Sequence, residues 1–309
     1  IRDPGAGGNW FGGSGNFTAQ NPSSAAHITY FMNRRHMFGK MYIEIWKDGE
    51  LLRTLPAGKS AGINIVDLPT SLKKPKAAPT KNRMALGGSL FGPNLPAGEY
   101  EVKIIKGKKE YNSTFSMVYD PLSEYSVEDR EVQRDYTMKL YNMTEEIAYI
   151  YEALSSIEKQ ASDLAKAHPK RAKKIDPLTE KAKSEKGKLV ALEGDFYVDE
   201  GEQIRERIST MYYMVSSYPG RPSQSQIDAT DKLSREMEDV TKTFKEVLTL
   251  MEETNSFLEK KELGKISIQS KEAFLAGENK GSDTGGQFFR KSNGLYKSLK
   301  QAGFDFRLF

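Results

Sequence analysis

A chain of 309 residues has room for two domains, each with its own core. Its 28% charged and 38% apolar residues exclude a disordered composition. No run approaches the roughly 18 apolar residues of a membrane-spanning helix. The absence of cysteine removes disulfides, thiolate zinc sites and cysteine nucleophiles, without fixing a compartment. The net charge of +4 hides an asymmetry: residues 1–120 hold 16 Lys and Arg against 9 Asp and Glu, the remainder 30 against 33. A basic front domain and a mildly acidic rear one are expected, with individually weak attraction between exposed charges. The chain begins at Ile1, as a mature secreted protein, a proteolytic fragment or a truncated chain would.

Residues 1–25 are a glycine-rich extended lead, with Gly5, Gly7, Gly8, Gly12, Gly13 and Gly15. A phosphate-cradling loop needs a strand before it and a helix after it, and neither is written here. Trp10, Phe11 and Phe17 are the residues that would pin this lead to a neighbour.

Residues 26–120 read as short strands with turn punctuation. Strands are expected at His27–Met32, Met41–Trp46, Leu51–Leu55, Gly62–Leu68, Glu99–Ile105 and Glu110–Val118. Lys47-Asp48-Gly49-Glu50 is a hairpin turn, because Asp-Gly tolerates positive φ. The long connection Pro69–Pro93 carries Lys73, Lys74, Lys76, Lys81 and Arg83 among prolines. Six or seven short antiparallel strands without cysteine suggest an immunoglobulin- or fibronectin-like β-sandwich.

Residues 121–261 are helical in pattern. Val132, Tyr136, Leu140, Met143, Ile147, Ile150, Leu154, Ile157, Ala161 and Leu164 recur at steps of three or four. They place one apolar stripe along a helix of about eleven turns. Ser126 and Asp129 have the shape of a capping box, and His168-Pro169 marks the stop. A second, charged helix is expected to start at Asp176-Pro177 and to be interrupted at Gly187. A third spans Glu200–Ser217. Tyr218–Pro222 is a hard break before a fourth, Ser223–Lys261. The fold class is therefore multidomain β + α, a β-sandwich followed by an antiparallel four-helix bundle. A coiled-coil dimer through the two long helices competes with it.

Residues 262–309 read as a loop, a short helical segment near Gln287–Gln301, and an aromatic tail. Phe304, Phe306 and Phe309 make that tail too apolar to dangle in water. It packs back on the chain or docks on a partner.

The residues give no recognisable active site. His27, His36 and His168 are scattered, and there is no His-x-x-x-His or Glu-x-x-His pair. Glu145-Glu146 and Glu252-Glu253 are read as solvated helix faces. Asp195, Asp199 and Glu202 lack the ligand order of a calcium loop, and no Gly-x-Ser-x-Gly or Walker sequence occurs. No enzyme activity, metal or cofactor is expected. The basic charge is too dispersed, and too little interleaved with aromatics, for nucleic acid. Lys73, Lys74 and Lys76 suit an acidic neighbour. In Met211-Tyr212-Tyr213-Met214 one half must face outward, which makes Tyr213 and Met214 contact candidates.

Several segments together carry a resemblance: Phe17-Thr18-Ala19-Gln20-Asn21-Pro22, Ile28-Thr29-Tyr30-Phe31, Ile43-Glu44-Ile45 with Asp48-Gly49, and Leu52-Arg53-Thr54-Leu55. Ala61-Gly62-Ile63-Asn64, Leu95–Val102, Val118-Tyr119-Asp120-Pro121 and the Gly220–Gln226 stretch extend it. Residues 17–260 resemble the region that follows the β-propeller in bacterial sortilin-like (VPS10/BNR-repeat) proteins, often labelled glycosyl hydrolases. The resemblance implies an extracytoplasmic protein, secreted, periplasmic or outer-membrane-associated, and the C-terminal part of a larger one. No propeller blade or Asp-box repeat is written here, so no catalytic residue is carried over. The expected function is a non-enzymatic interaction or scaffold module whose partner is a protein, an upstream propeller or an envelope complex. The alternative is a carbohydrate-holding domain of a secreted glycoside hydrolase, with Tyr42, Trp46, Tyr100 and Tyr111 in an exposed row. A sorting domain for a secretion machine is a weaker reading, since such domains end their chains and a long helical region follows here.

Overall fold

A computed structural model describes residues 25–80, 91–191 and 203–277. The described chain divides into two compact units, residues 25–72 with 94–122, and residues 73–80, 91–93, 123–191 and 203–277.

The first unit consists of two antiparallel sheets. Its strands are β1 (Ala25–Met32), β2 (Met41–Lys47), β3 (Glu50–Pro56), β4 (Gly62–Pro69), β5 (Gly98–Lys106) and β6 (Lys109–Met117). One sheet pairs β1 with β4, and the other runs β3-β2-β5-β6. The β2–β3 turn forms as its residues demand, with Asp48 at φ 51° and Gly49 at φ 81°. Alternate residues bury one face of each strand. Ile43, Ile45, Tyr100 and Val102 from the larger sheet meet Leu68, Ile28, Tyr30 and Val66 from the smaller one in a single apolar cluster. At its base, Leu95 N–H donates to Thr70 O at 2.8 Å, and Ser71 bridges Asn94.

The second unit is mainly helical: α1 (Val127–Ala167), a single 3-10 turn (Pro169–Arg171), α2 (Ala172–Gly187), α3 (Ile204–Ser216), α4 (Gln224–Glu259) and α5 (Lys271–Ala276). The long helices start where their caps lie. Ser126 Oγ accepts from Asp129 N–H at 3.1 Å, and Ser223 and Gln226 form a reciprocal capping box. The stripe on α1 is buried from Leu140 to Ala165.

Three features depart from expectation. First, α2 begins at Ala172, a turn before Asp176-Pro177, so Pro177 sits inside the helix. Ile175 is fully buried beside Leu178 and Ala182. The added turn carries Ile175 into the core, against the missing N–H of Pro177.

Second, α2 and α3 share one column instead of forming two members of a four-helix bundle. Each packs on α1 and α4, and they do not pack on each other. Lys186 bonds Glu158, Tyr212 lies against Tyr141, and Gln133 donates to Val215 O. As the α1 number falls, the partner number rises through both short helices, so both run antiparallel to α1. The long helices run parallel to each other, with Lys139 on Asp231 and Tyr149 against Phe244.

Third, the stretch after α4 packs against the helices. Asn255 accepts from Ile266 N–H and donates to Ile266 O, both at 2.8 Å, and Ile266 is fully buried. One amide side chain thus replaces water for both backbone groups of a buried residue. Asn255→Ala is expected to cost about 1–3 kcal/mol. Hydrogen exchange should show faster exchange across 264–276, with α1 remaining protected.

Candidate functional site

Among the described residues, a buried polar cluster and an exposed apolar strip depart from ordinary core and surface. The first is polar and buried in the helical unit. Arg205 and Glu206 open α3, and both are almost fully removed from water, at 3% and 0% exposure. Charges can be buried only where other polar groups replace water. The Arg205 guanidinium donates through Nε to Ala78 O at 3.1 Å. The Glu206 carboxylate accepts from Thr80 Oγ1 at 2.8 Å, Ala191 N–H at 3.2 Å and Gln203 N–H at 3.3 Å. Burial pulls the Arg205 pKa down to about 10, and the adjoining Glu206 opposes that shift.

Residues 73–80 supply two of these partners, so this stretch belongs to the helical unit and not to the sheets. Lys76 N–H donates to Glu145 at 3.3 Å. The Lys76 ammonium donates to Phe274 O and to Gly277 O and lies 4.8 Å from the Phe274 ring centroid. Lys76, expected to meet an acidic neighbour, is therefore held by its own chain. Lys73 is exposed and Lys74 half-buried.

Tyr141 and Tyr212 lie beside this cluster, and burial raises both phenols well above their ordinary value, helped by nearby Glu145. Tyr212 OH donates to Phe91 O at 3.0 Å. The arrangement is a buried set of groups bonded to one another and to backbone, with the Thr80 hydroxyl spent on the Glu206 carboxylate. Among the described residues no cluster of three or more His, Asp or Glu could hold a metal ion.

The second place is apolar and exposed. On the β1–β4 sheet, Phe31 pairs with Ile63 and Thr29 with Ile65, on the face away from the core. Phe31 is 67% exposed, Ile63 71% and Ile65 63%. His27 and Asp67 close the row with a 2.7 Å bond. The phase of β4 is set by burial of Asn64, Val66 and Leu68. Inward-facing Asn64 is satisfied by Ser60 N–H at 3.2 Å and Ser60 O at 2.9 Å. Its neighbours Ile63 and Ile65 are therefore turned outward. Covering a large apolar side chain is worth about 1.5–3 kcal/mol, so this three-residue strip favours a partner.

Of the expected contact residues, Tyr213 and Met214 are half-exposed on the outer side of α3. Trp10, Phe11, Phe17, Phe304, Phe306 and Phe309 lie outside the described residues, as does the Gln287–Gln301 segment. The four aromatics of the carbohydrate reading do not form a row. Tyr42 and Trp46 alternate with the buried Ile43 and Ile45. Tyr100 is buried and stacked on Phe115 at 5.1 Å, and Tyr111 pairs with Ile104 on that same inner face at the sheet edge. Phe31, Ile63 and Ile65 are absent from the sequence-derived contact set. Their signal was a strand apolar on both faces, with Asp67 marking the outer one. No family model, curated protein or solved structure matches the chain.

The buried phenol of Tyr212 gives a pH test. The folded state holds its proton to higher pH than the unfolded state, whose value is near 10.0. Its contribution is therefore complete below pH 10 and is lost as pH rises toward the folded value. Below pH 9 Tyr212→Phe should cost about 1 kcal/mol for the lost hydrogen bond. Above pH 10 the parent should lose stability faster than the variant, so their urea midpoints converge.

Proposed function

We propose that this protein is a non-enzymatic, extracytoplasmic protein-interaction module. It is the C-terminal part of a sortilin-like propeller protein, or a subunit of a cell-envelope complex. The two sheets are read as an immunoglobulin- or fibronectin-like sandwich that presents the contact. The helices are read as an antiparallel bundle in which α2 and α3 together form the middle member.

One observation carries the reading: the Phe31–Ile63–Ile65 face is exposed and apolar, on a sheet of two strands. Such strips on otherwise polar surfaces mark interfaces. Tyr213 and Met214 on α3 offer a second, smaller contact, of residue types enriched at interfaces. The extracytoplasmic placement rests on the resemblance of residues 17–260 to the post-propeller region of the sortilin-like proteins.

The test is the size of the species in an extract of the native source. The 309-residue chain, mixed into that extract, should elute in an assembly larger than its own 34.7 kDa. Phe31→Ser with Ile63→Ser should elute free, with its thermal midpoint little changed because both side chains are exposed. A parent that elutes alone, or a double variant that stays in the assembly, contradicts the reading.

A further inference from the structure

The two-sheet unit carries another exposed surface, at the end where β1 passes to β2, β3 to β4 and β5 to β6. Hydrogen bonds tie these three connections into one frame. His36 N–H donates to Lys59 O at 2.9 Å, the Lys59 ammonium to Gly39 O at 2.9 Å, and Gly107 N–H to Lys40 O at 3.1 Å. Beneath them, Tyr30 OH donates to Gly58 O at 2.7 Å. The links by which this unit continues into the rest of the chain, beyond Leu72, before Asn94 and beyond Leu122, leave from the opposite end of its strands.

Arg34, Arg35, Lys40, Lys59, Lys108 and Lys109 are exposed on this frame. Residues 33–40, 57–61 and 106–109 contain no Asp or Glu. Among the described residues, none of the six cations is in an ion pair. Elsewhere Lys and Arg find carboxylates readily, as at Arg207–Glu236 and Arg221–Asp129. Between Arg35 and Lys40 stand Met37, 63% exposed, and Phe38, 86% exposed.

Uncompensated cations call for an anionic surface, and an aromatic ring left in water calls for an apolar one. Stable attachment to a bilayer surface takes both, a polybasic patch and an apolar insertion. A soluble polyanion would meet the cations and leave Phe38 and Met37 in water. We propose that this end of the two-sheet unit docks on an anionic bilayer, its six cations meeting lipid phosphates while Phe38 and Met37 enter the headgroup–acyl boundary. This goes beyond the protein-interaction reading and uses different residues from the Phe31–Ile63–Ile65 face, so either proposal can fail alone.

The test is flotation of the full chain with vesicles of phosphatidylcholine alone, or with about 30% phosphatidylglycerol, at low and high salt. The parent should float with the anionic vesicles at low salt and stay behind with the neutral ones. Arg34→Glu with Arg35→Glu should weaken binding at least about tenfold, by removing attraction and adding repulsion. Phe38→Ser should weaken it by a similar factor without changing the melting curve. Binding of the parent to inorganic polyphosphate in solution is the control for a soluble anion. No flotation with anionic vesicles, or equal flotation with neutral ones, overturns the proposal. So does a Phe38→Ser variant that floats like the parent while Arg34→Glu/Arg35→Glu loses both vesicles and polyphosphate, since the site would then read soluble anions.

Discussion

A charged pair taken out of water at the start of α3 is the constraint on which the helical unit depends. Arg205 and Glu206 need replacements for their hydration shells, and no single helix supplies them. Ala78 and Thr80, which follow β4 in the chain, provide a carbonyl and a hydroxyl; Ala191 and Gln203, which flank the α2–α3 interval, provide backbone N–H groups. One pair of side chains thus fixes the start of α3, the path of residues 73–80 and the interruption of the middle helical column. Losing one of these partners leaves a buried charge short of a hydrogen bond, which costs more than the bond's own net contribution.

This internal bonding sets the helical unit apart from the two-sheet unit. Around the buried pair, Thr80, Ala78, Ala191 and Gln203 turn their polar groups inward onto the two charges. Lys76 shows this most plainly: a side chain expected to meet an acidic neighbour is held by two carbonyls and an aromatic ring of its own chain. The two-sheet unit leaves more unsettled. Its smaller sheet has an apolar strip on its outer face, and one end gathers cations with no acid in the same connections. The two proposed contacts rest on these two surfaces, one apolar and one cationic.

The elements read clearly from the sequence where the signal is local. The α1 stripe, the serine caps at Ser126 and Ser223, the Asp48-Gly49 turn and the six strands each depend on residues within a few positions of one another. Non-local choices were not legible. Nothing near Lys73 says that the chain will pass to the helices, because the reason lies at Arg205. Counting helical segments cannot say that α2 and α3 occupy successive levels of one column. Asn255 gives no warning that it will hold Ile266. The candidate face was hidden by phase: in Gly62-Ile63-Asn64-Ile65 the alternation invites the isoleucines inward, and only Val66 and Leu68 beyond them fix the opposite choice.

The measurement that bears most directly on the central claim is hydroxyl-radical footprinting, read by mass spectrometry at single side chains. It would compare the protein in a gentle native extract with the purified chain. An interaction module predicts that Phe31, Ile63 and Ile65 are oxidised in the purified chain and protected in the extract, while the buried Tyr100 stays protected in both. Equal oxidation of Phe31, Ile63 and Ile65 in the two preparations would mean that nothing covers the face, and would contradict the account.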